Sequence, residues 1–183
     1  MLCFTDQDLH AAPWQVIKLP QEPDPLRGNR RLKLLAHRTV ASHWSLYLDS
    51  NFRLMADPRP LLGQGDFVTH RHPFCANILE EADAICRLGK ADPAAVGRQV
   101  ADYVAQGFCT PSSPQRNHSA NGVLLRHHTP AVAALNEAWW AELSKHSHRD
   151  QLSLDFCTWR ANFTLHYWPC SVFADPHFQY VTA

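Results

Sequence analysis

An apolar run, Trp44-Ser-Leu-Tyr-Leu48, stops abruptly at Asp49-Ser50-Asn51: an acid, a hydroxyl and an amide in succession. A buried strand that ends at a carboxylate delivers it to the rim of a sheet. In open α/β sheets, ligands bind beyond the carboxyl ends of the strands. Asp49 and Asn51 both offer oxygen, which suits a hard divalent cation, Mn²⁺ or Mg²⁺, holding a diphosphate. The same residue types are also ordinary turn formers, so the triplet alone leaves both readings open. Arg30, Arg31 and Lys33 open a helix expected from residue 29, where free backbone amides also favour anions. Arginine grips phosphate as a fork and lysine as a point charge. A solvated cationic helix face is the alternative.

The elements that must position these groups follow from pattern. Residues 2–5 and 14–17 read as short strands, and 20–28, with three prolines, as a loop. After the 44–48 strand come a helical turn near 57–62, a strand over 66–70 and a helix over 77–88. Asp92 as N-cap, Pro93 in the first turn and Gly107 at the end define the next helix. A polar loop is expected over 109–121, a buried strand over 122–126, a helix from Thr129-Pro130 to about 145, a helix over 149–160 and a last strand over 163–168. Strands alternating with helices predict an α/β fold with a mostly parallel sheet flanked by helices on both faces. The 183 residues are expected to form a single domain, 1–183.

Composition narrows the partners. Seventeen basic residues balance 17 acidic ones, so no global field steers nucleic acid or anionic membranes to the chain. No apolar stretch is long enough for a membrane span, and no signal-peptide pattern opens the chain, which predicts a cytoplasmic location. Six cysteines without a CxxC pair read as reduced, buried side chains.

Read in order, further pieces accumulate: Cys3-Phe-Thr-Asp6, Trp14, Arg30-Arg-Leu-Lys33 with His37, Leu48-Asp49-Ser-Asn51, Ala56-Asp-Pro58, Leu61-Leu62 and His70-Arg71. After them come Glu80-Glu81-Ala82, Gln99, Tyr103, Gly107, Val123-Leu-Leu-Arg126-His127, Trp140-Ala-Glu142 and Arg149-Asp150-Gln151-Leu-Ser153. This ordered set resembles the glycosyltransferase-like domain of plant mucilage and cell-wall proteins and of many bacterial and phage proteins, long described as a domain of unknown function. The resemblance covers roughly residues 3–160. It implies a GT-A-like (Rossmann-like) fold and transfer of a sugar from a nucleotide-sugar donor to a glycan, lipid or protein acceptor. Family members carry a further strand–helix unit ahead of the Cys-Phe-Thr-Asp match, so the part that holds the nucleotide base is expected to be absent or differently built here. The acid-x-acid signature of many such enzymes is Asp49-Ser50-Asn51 in this chain, with one carboxylate.

The resemblance then assigns roles. Asp49 and Asn51 become metal ligands; Arg30, Lys33, Asp49, Arg126 and His127 become donor-binding groups, the last two ending a strand at the presumed rim. Asp150 and Glu81 are the candidate catalytic carboxylates. Asp150 would accept a proton from the acceptor hydroxyl, although its helix N-terminus lowers its pKa and weakens it as a base. His70, Arg71, Glu80, Trp140, Arg149 and Gln151 are candidates for holding the acceptor or the sugar, Trp140 as a stacking surface. Two other readings stay open. One is a relative that binds a nucleotide sugar or glycan without turnover. The other is a zinc module built on His70, His72 and Cys75, with His146 and His148.

Overall fold

A computed structural model describes residues 1–10, 12–110 and 117–181. Strands β1 (Leu2–Thr5) and β2 (Gln15–Lys18) pair in parallel as a small separate sheet. Helix α1 spans Pro25–Leu34, earlier than the sequence pattern suggests. The loop reading of 20–28 overlooked Asp24-Pro25: the Asp24 carboxylate accepts the Arg27 N–H at 3.0 Å, and Pro25 occupies the first turn, where its missing N–H costs nothing. A short helix α2 (Ala36–Thr39) follows, then β3 (Trp44–Leu48), β4 (Phe52–Leu54), a 3₁₀ turn at Arg59–Leu61 and β5 (Phe67–Arg71). Helices α3 (Ile78–Arg87) and α4 (Pro93–Ala105) lead to β6 (Ser119–His127), then α5 (Pro130–Lys145), α6 (Asp150–Arg160), β7 (His166–Tyr167) and β8 (Phe178–Tyr180). Of the loop expected over 109–121, residues 111–116 lie outside the described residues, and 119–121 belong to β6.

The class is mixed α/β, but the central sheet is not mostly parallel. Its order is β3-β6-β5-β7, and β6 runs antiparallel to both β3 and β5; only β5 and β7 are parallel. Alternation of helices and strands does not fix strand direction. Here two consecutive helices, α3 and α4, separate β5 from β6, and the chain returns in the opposite sense.

Among the described residues, helices cover one face only. Tyr47, Phe67 and Leu124 of the sheet pack with α1, α3, α4, α5 and α6 in one apolar cluster. The alternate residues Trp44, Leu46, Leu48, Val68, Val123 and Leu125 face the other side, as the two-residue period of a strand requires. That second face is covered by Leu61, β4 and the C-terminal segment with Trp168, Val172 and Phe178, not by helices. The β4–β8 ribbon ties this segment down, and Phe52 leans so closely on Gly122 that a Cβ there would lie 2.5 Å from the ring.

A pH dependence follows from the β3–β6 edge. His128 shares a 2.8 Å hydrogen bond with Ser45 Oγ. Burial, with Arg126 nearby, pushes its pKa down to about 4. The unfolded chain therefore takes up this proton more readily than the folded one. Stability should be full above about pH 6.5 and should fall between there and pH 4. In thermal melts at pH 7.5 and 5.0, His128→Asn should lose less Tm than the unmodified chain; an equal loss in both would contradict this account.

Candidate functional site

Three separate segments meet on the helix-covered face. Arg30 and Lys33 lie three residues apart on α1 and therefore share a face. Asp49 follows the last residue of β3, where its N–H donates to Gly122 O at 2.8 Å. Asp150 opens α6, a favourable place for an anion against the helix dipole. Lys33 Nζ lies 2.8 Å from Asp150 Oδ2 and 3.3 Å from Asp49 Oδ1, and Arg30 Nε lies 3.2 Å from Asp150 Oδ1. Lys33 and Asp150 side chains are 2% and 4% exposed, whereas that of Asp49 is 34% exposed, so the cluster opens to solvent on the Asp49 side.

Burial alone would raise the Asp150 pKa, but Lys33 first and then Arg30 outweigh it and hold the carboxyl below its usual range. Asp150 is therefore an ionised, enclosed counter-charge, a poor acceptor for a proton. Trp139 Nε1 donates to Asp150 O and Ser153 Oγ, both at 3.1 Å, fixing the first turn of α6 from the core.

Tyr47 was missed by the sequence reading. Its hydroxyl donates to Asp49 Oδ1 at 2.8 Å, and Lys33 Nζ stands 5.0 Å from its ring centroid. Burial and the Asp49 charge push its pKa well up, so it stays a neutral donor. The signal was available: Tyr47 and Asp49 are two residues apart on one strand face.

Among the described residues, both side-chain hydrogen bonds of Asp49 fall on Oδ1. Asn51 Oδ1 is buried with no hydrogen-bond partner among the described residues. This donor set, one carboxylate and one orphaned amide oxygen, fits a hard divalent cation that draws further oxygens from its ligand. Arg149, the residue before α6, is half-buried beside Asp150, and its Nε is also unpartnered there.

Other expected residues lie elsewhere. Because β6 is antiparallel to β3, Arg126 and His127 pair with Ser45 and Trp44 at the beginning of β3, the opposite end from Asp49. His127 stacks on Trp44 with ring centroids 4.5 Å apart and shares a 3.0 Å bond with Asp66. Arg126 is fully buried, and burial pushes its pKa down to about 10. Its Nη1 donates to Leu34 O at 3.3 Å, so its charge sits at the C-terminal end of α1, where a cation is favourable. Arg126 braces the helix that carries Lys33.

His70 points to the opposite face, its Nε2 2.9 Å from Asp175 Oδ2 beneath Trp168 and Phe178. Arg71 lies exposed over the Tyr167 ring at 5.0 Å, and Glu80 accepts from Ala76 N–H and Asn77 Nδ2 at the start of α3. Trp140 carries the Arg27 guanidinium 5.3 Å above its ring. Gln151 is half-buried, one residue beyond Asp150. The structure thus joins Arg30, Lys33, Asp49 and Asp150, with Asn51, Arg149 and Gln151 alongside them in sequence, and disperses the rest.

Glu81 belongs to a second polar group with His72 and Cys75. His72 Nδ1 accepts the Cys75 N–H at 2.8 Å, which puts the ring proton on Nε2, 3.6 Å from Glu81 Oε2. In that tautomer the protonated Nε2 faces Glu81 without reaching hydrogen-bond distance and is not free to ligate a metal. The His70, His72 and Cys75 set of the zinc reading is divided between two faces of the sheet, because β5 ends at Arg71 and the chain turns.

A mixed α/β fold with cations and carboxylates gathered at a strand end fits a protein that handles anionic ligands. The chain belongs to the TOD1/MUCI70 glycosyltransferase-like domain family, whose model matches residues 3–183, the same family that the ordered motifs pointed to. It is 31% identical over 177 residues to the probable hexosyltransferase MUCI70 of Arabidopsis thaliana, covering 88% of this chain and 30% of that protein. It is also 27% identical over 165 residues to the alkaline ceramidase TOD1 of the same plant, covering 81% of this chain and 36% of that protein. The chain therefore corresponds to about a third of either relative's length.

Proposed function

We propose that this domain transfers a hexosyl unit from a nucleoside-diphosphate sugar to an acceptor hydroxyl, on a GT-A-like plan in which the end of β3 meets the donor. One observation carries the reading: Arg30, Lys33, Asp49 and Asp150 converge from α1, β3 and α6 on a single cluster that opens at Asp49. Breaking the bond to the sugar leaves extra negative charge on the departing diphosphate, and catalysis consists largely of having fixed positive charge already aimed there. Lys33, Arg30 and Arg149 supply that charge. Asp150 pairs with the first two and fixes their orientation, a positioning role. Tyr47 holds Asp49 by its hydroxyl and leaves the second carboxylate oxygen for the ligand. When bound, Mn²⁺ or Mg²⁺ would be held by Asp49 and Asn51 and would supply Lewis-acid neutralisation of the diphosphate.

The ceramidase name of one relative raises amide hydrolysis as a rival. Attack by the two buried thiols Cys75 and Cys157 is disfavoured: burial pushes the first up to about 11 and the second up to about 12, which leaves both protonated at neutral pH.

Asp49→Ala should lower donor affinity or turnover at least ~10-fold, about 1.4 kcal/mol, in titrations with uridine and guanosine diphosphate sugars plus Mn²⁺. Asp49→Asn should keep the fold and lose most of the same affinity. Unaltered donor binding and turnover in Asp49→Ala would defeat the assignment.

A further inference from the structure

Beyond the ionic cluster, the same helix carries a second acid in a different setting. Asp155 lies five residues after Asp150 on α6, about 7.5 Å further along the axis. It is 3% exposed, and among the described residues no lysine or arginine pairs with it as Lys33 pairs with Asp150. One oxygen, Oδ2, is spoken for: His118 Nδ1 approaches to 2.7 Å and Ser119 N–H donates at 3.2 Å. The other, Oδ1, is buried without a hydrogen-bond partner among the described residues. A buried carboxylate oxygen with no donor carries a desolvation cost that an incoming hydroxyl would remove.

Asp155 also forms part of the wall of a pocket of about 290 Å³, together with Phe108, Thr158, Trp159, Phe163 and Tyr167. The volume lies at the lower edge of small-molecule sites, roughly 300–1,000 Å³. It suits a single sugar ring and is too small for a whole nucleotide sugar. Trp159 is 48% exposed, unusual for so large an apolar ring, and is not loose. Its centroid lies 5.4 Å from that of Phe108 and 5.8 Å from that of Phe156, so its platform is built before any ligand arrives. An aromatic platform beside a carboxylate is the pairing a pyranose needs. Its C–H face stacks on the ring, and its hydroxyls donate to the acid.

We propose that this pocket binds one neutral hexose unit of the acceptor glycan. The word acceptor rests on the transferase reading above; the binding of a neutral sugar does not. Rigid aromatic walls and an oriented acid favour a sugar over an acyl chain, which would leave Asp155 Oδ1 buried and unpartnered.

The test is direct titration of the whole chain with cellotetraose, mannotetraose and galactotetraose, read by tryptophan fluorescence and calorimetry. At least one should bind, and Trp159→Ala should weaken that binding about 10-fold or more. Trp159→Tyr should retain it within about threefold, since the stacking face is kept. Asp155→Asn should weaken it too, with circular dichroism showing that the variant is folded. Because Trp159 is half exposed, its alanine variant should fold and should bind uridine or guanosine diphosphate with Mn²⁺ as the unmodified chain does. Absence of binding by all three tetrasaccharides at roughly 10 mM would overturn the proposal, as would equal affinity in Trp159→Ala. A short-chain ceramide that binds in a Trp159-dependent manner while the sugars do not would overturn it in favour of an acyl pocket. Loss of nucleotide binding alone would count against the donor site and leave this one standing.

Discussion

Replacing Asp150 by alanine is expected to cost roughly 3–5 kcal/mol of stability, because the change strands two cations in the interior. Among the described residues, Lys33 would retain only the partly exposed Asp49 at 3.3 Å, and Arg30 would lose its sole carboxylate. Neither side chain can reach water without moving α1, since the Lys33 side chain is 2% exposed and that of Arg30 is 14% exposed. Asp150→Asn should cost less, since the amide oxygen still accepts from one of them. Lys33→Met combined with Asp150→Leu should recover much of the stability while losing diphosphate binding, because an apolar pair carries no desolvation penalty. The acid limb of the stability curve carries the same signature. The folded pKa of Asp150 lies below the value of about 3.9 it has in the unfolded chain, so its contribution is complete above about pH 4. It is lost as pH falls through the lowered folded pKa. Urea melts of Asp150→Asn should therefore lack this steep acid component. An Asp150→Ala variant within about 1 kcal/mol of the unmodified chain would show that the cluster is not held as described.

How far the sequence revealed this site depends on what kind of signal each residue left. Asp49 was visible because an apolar strand cannot continue through Asp-Ser-Asn, and the chain does turn there. Asp150 was visible as an acid at a helix start. Their meeting with Lys33 was implied by the family resemblance and is geometric fact here. Strand direction left no local signal. Nothing in Gly122-Val-Leu-Leu-Arg126 says whether it runs with or against Trp44–Leu48, and that one choice moved Arg126 and His127 to the far end of the sheet.

His70 shares the face of Val68, two residues earlier on β5, against Trp168 and Phe178; the alternation was legible, but not which face the C-terminal segment covers. The β5–β6 pairing shifts between Val68 and His70, with Thr69 Oγ1 donating to both Ala120 O and Val123 O at 2.8 Å. Such irregularity is invisible in a pattern of apolar and polar residues. The C-terminal cover was also unreadable in advance, because residues 169–177 have no period to read. What fixes them is tertiary.

That tertiary fixing centres on Asp175, and Asp175→Ala is the second change expected to have a large effect, on the order of 2–4 kcal/mol. Its Oδ2 lies 2.9 Å from His70 Nε2 and 3.5 Å from Cys170 Sγ; its Oδ1 accepts the His177 N–H at 2.9 Å and lies 3.0 Å from His177 Nδ1. One carboxylate thus joins the buried face of β5 to both sides of the C-terminal turn. Alanine there leaves the His70 Nε2–H without an acceptor beneath Trp168 and Phe178, in a side chain that is 0% exposed. The damage should be local before it is global: amide hydrogen exchange should quicken in β8 and in its partner β4 while α5 and α6 keep their protection. The pH response should sharpen as well. Burial holds the His70 pKa below its ordinary value, and Asp175 opposes that shift. Without the acid the folded pKa drops further, while the unfolded histidine still titrates near pH 6.5. Stability should then fall more steeply below about pH 6.5 in Asp175→Ala than in the unmodified chain. Uniform exchange across β8 and α6 in the variant, or parallel pH profiles for the two proteins, would refute the idea that this carboxylate fastens the C-terminal segment to the sheet.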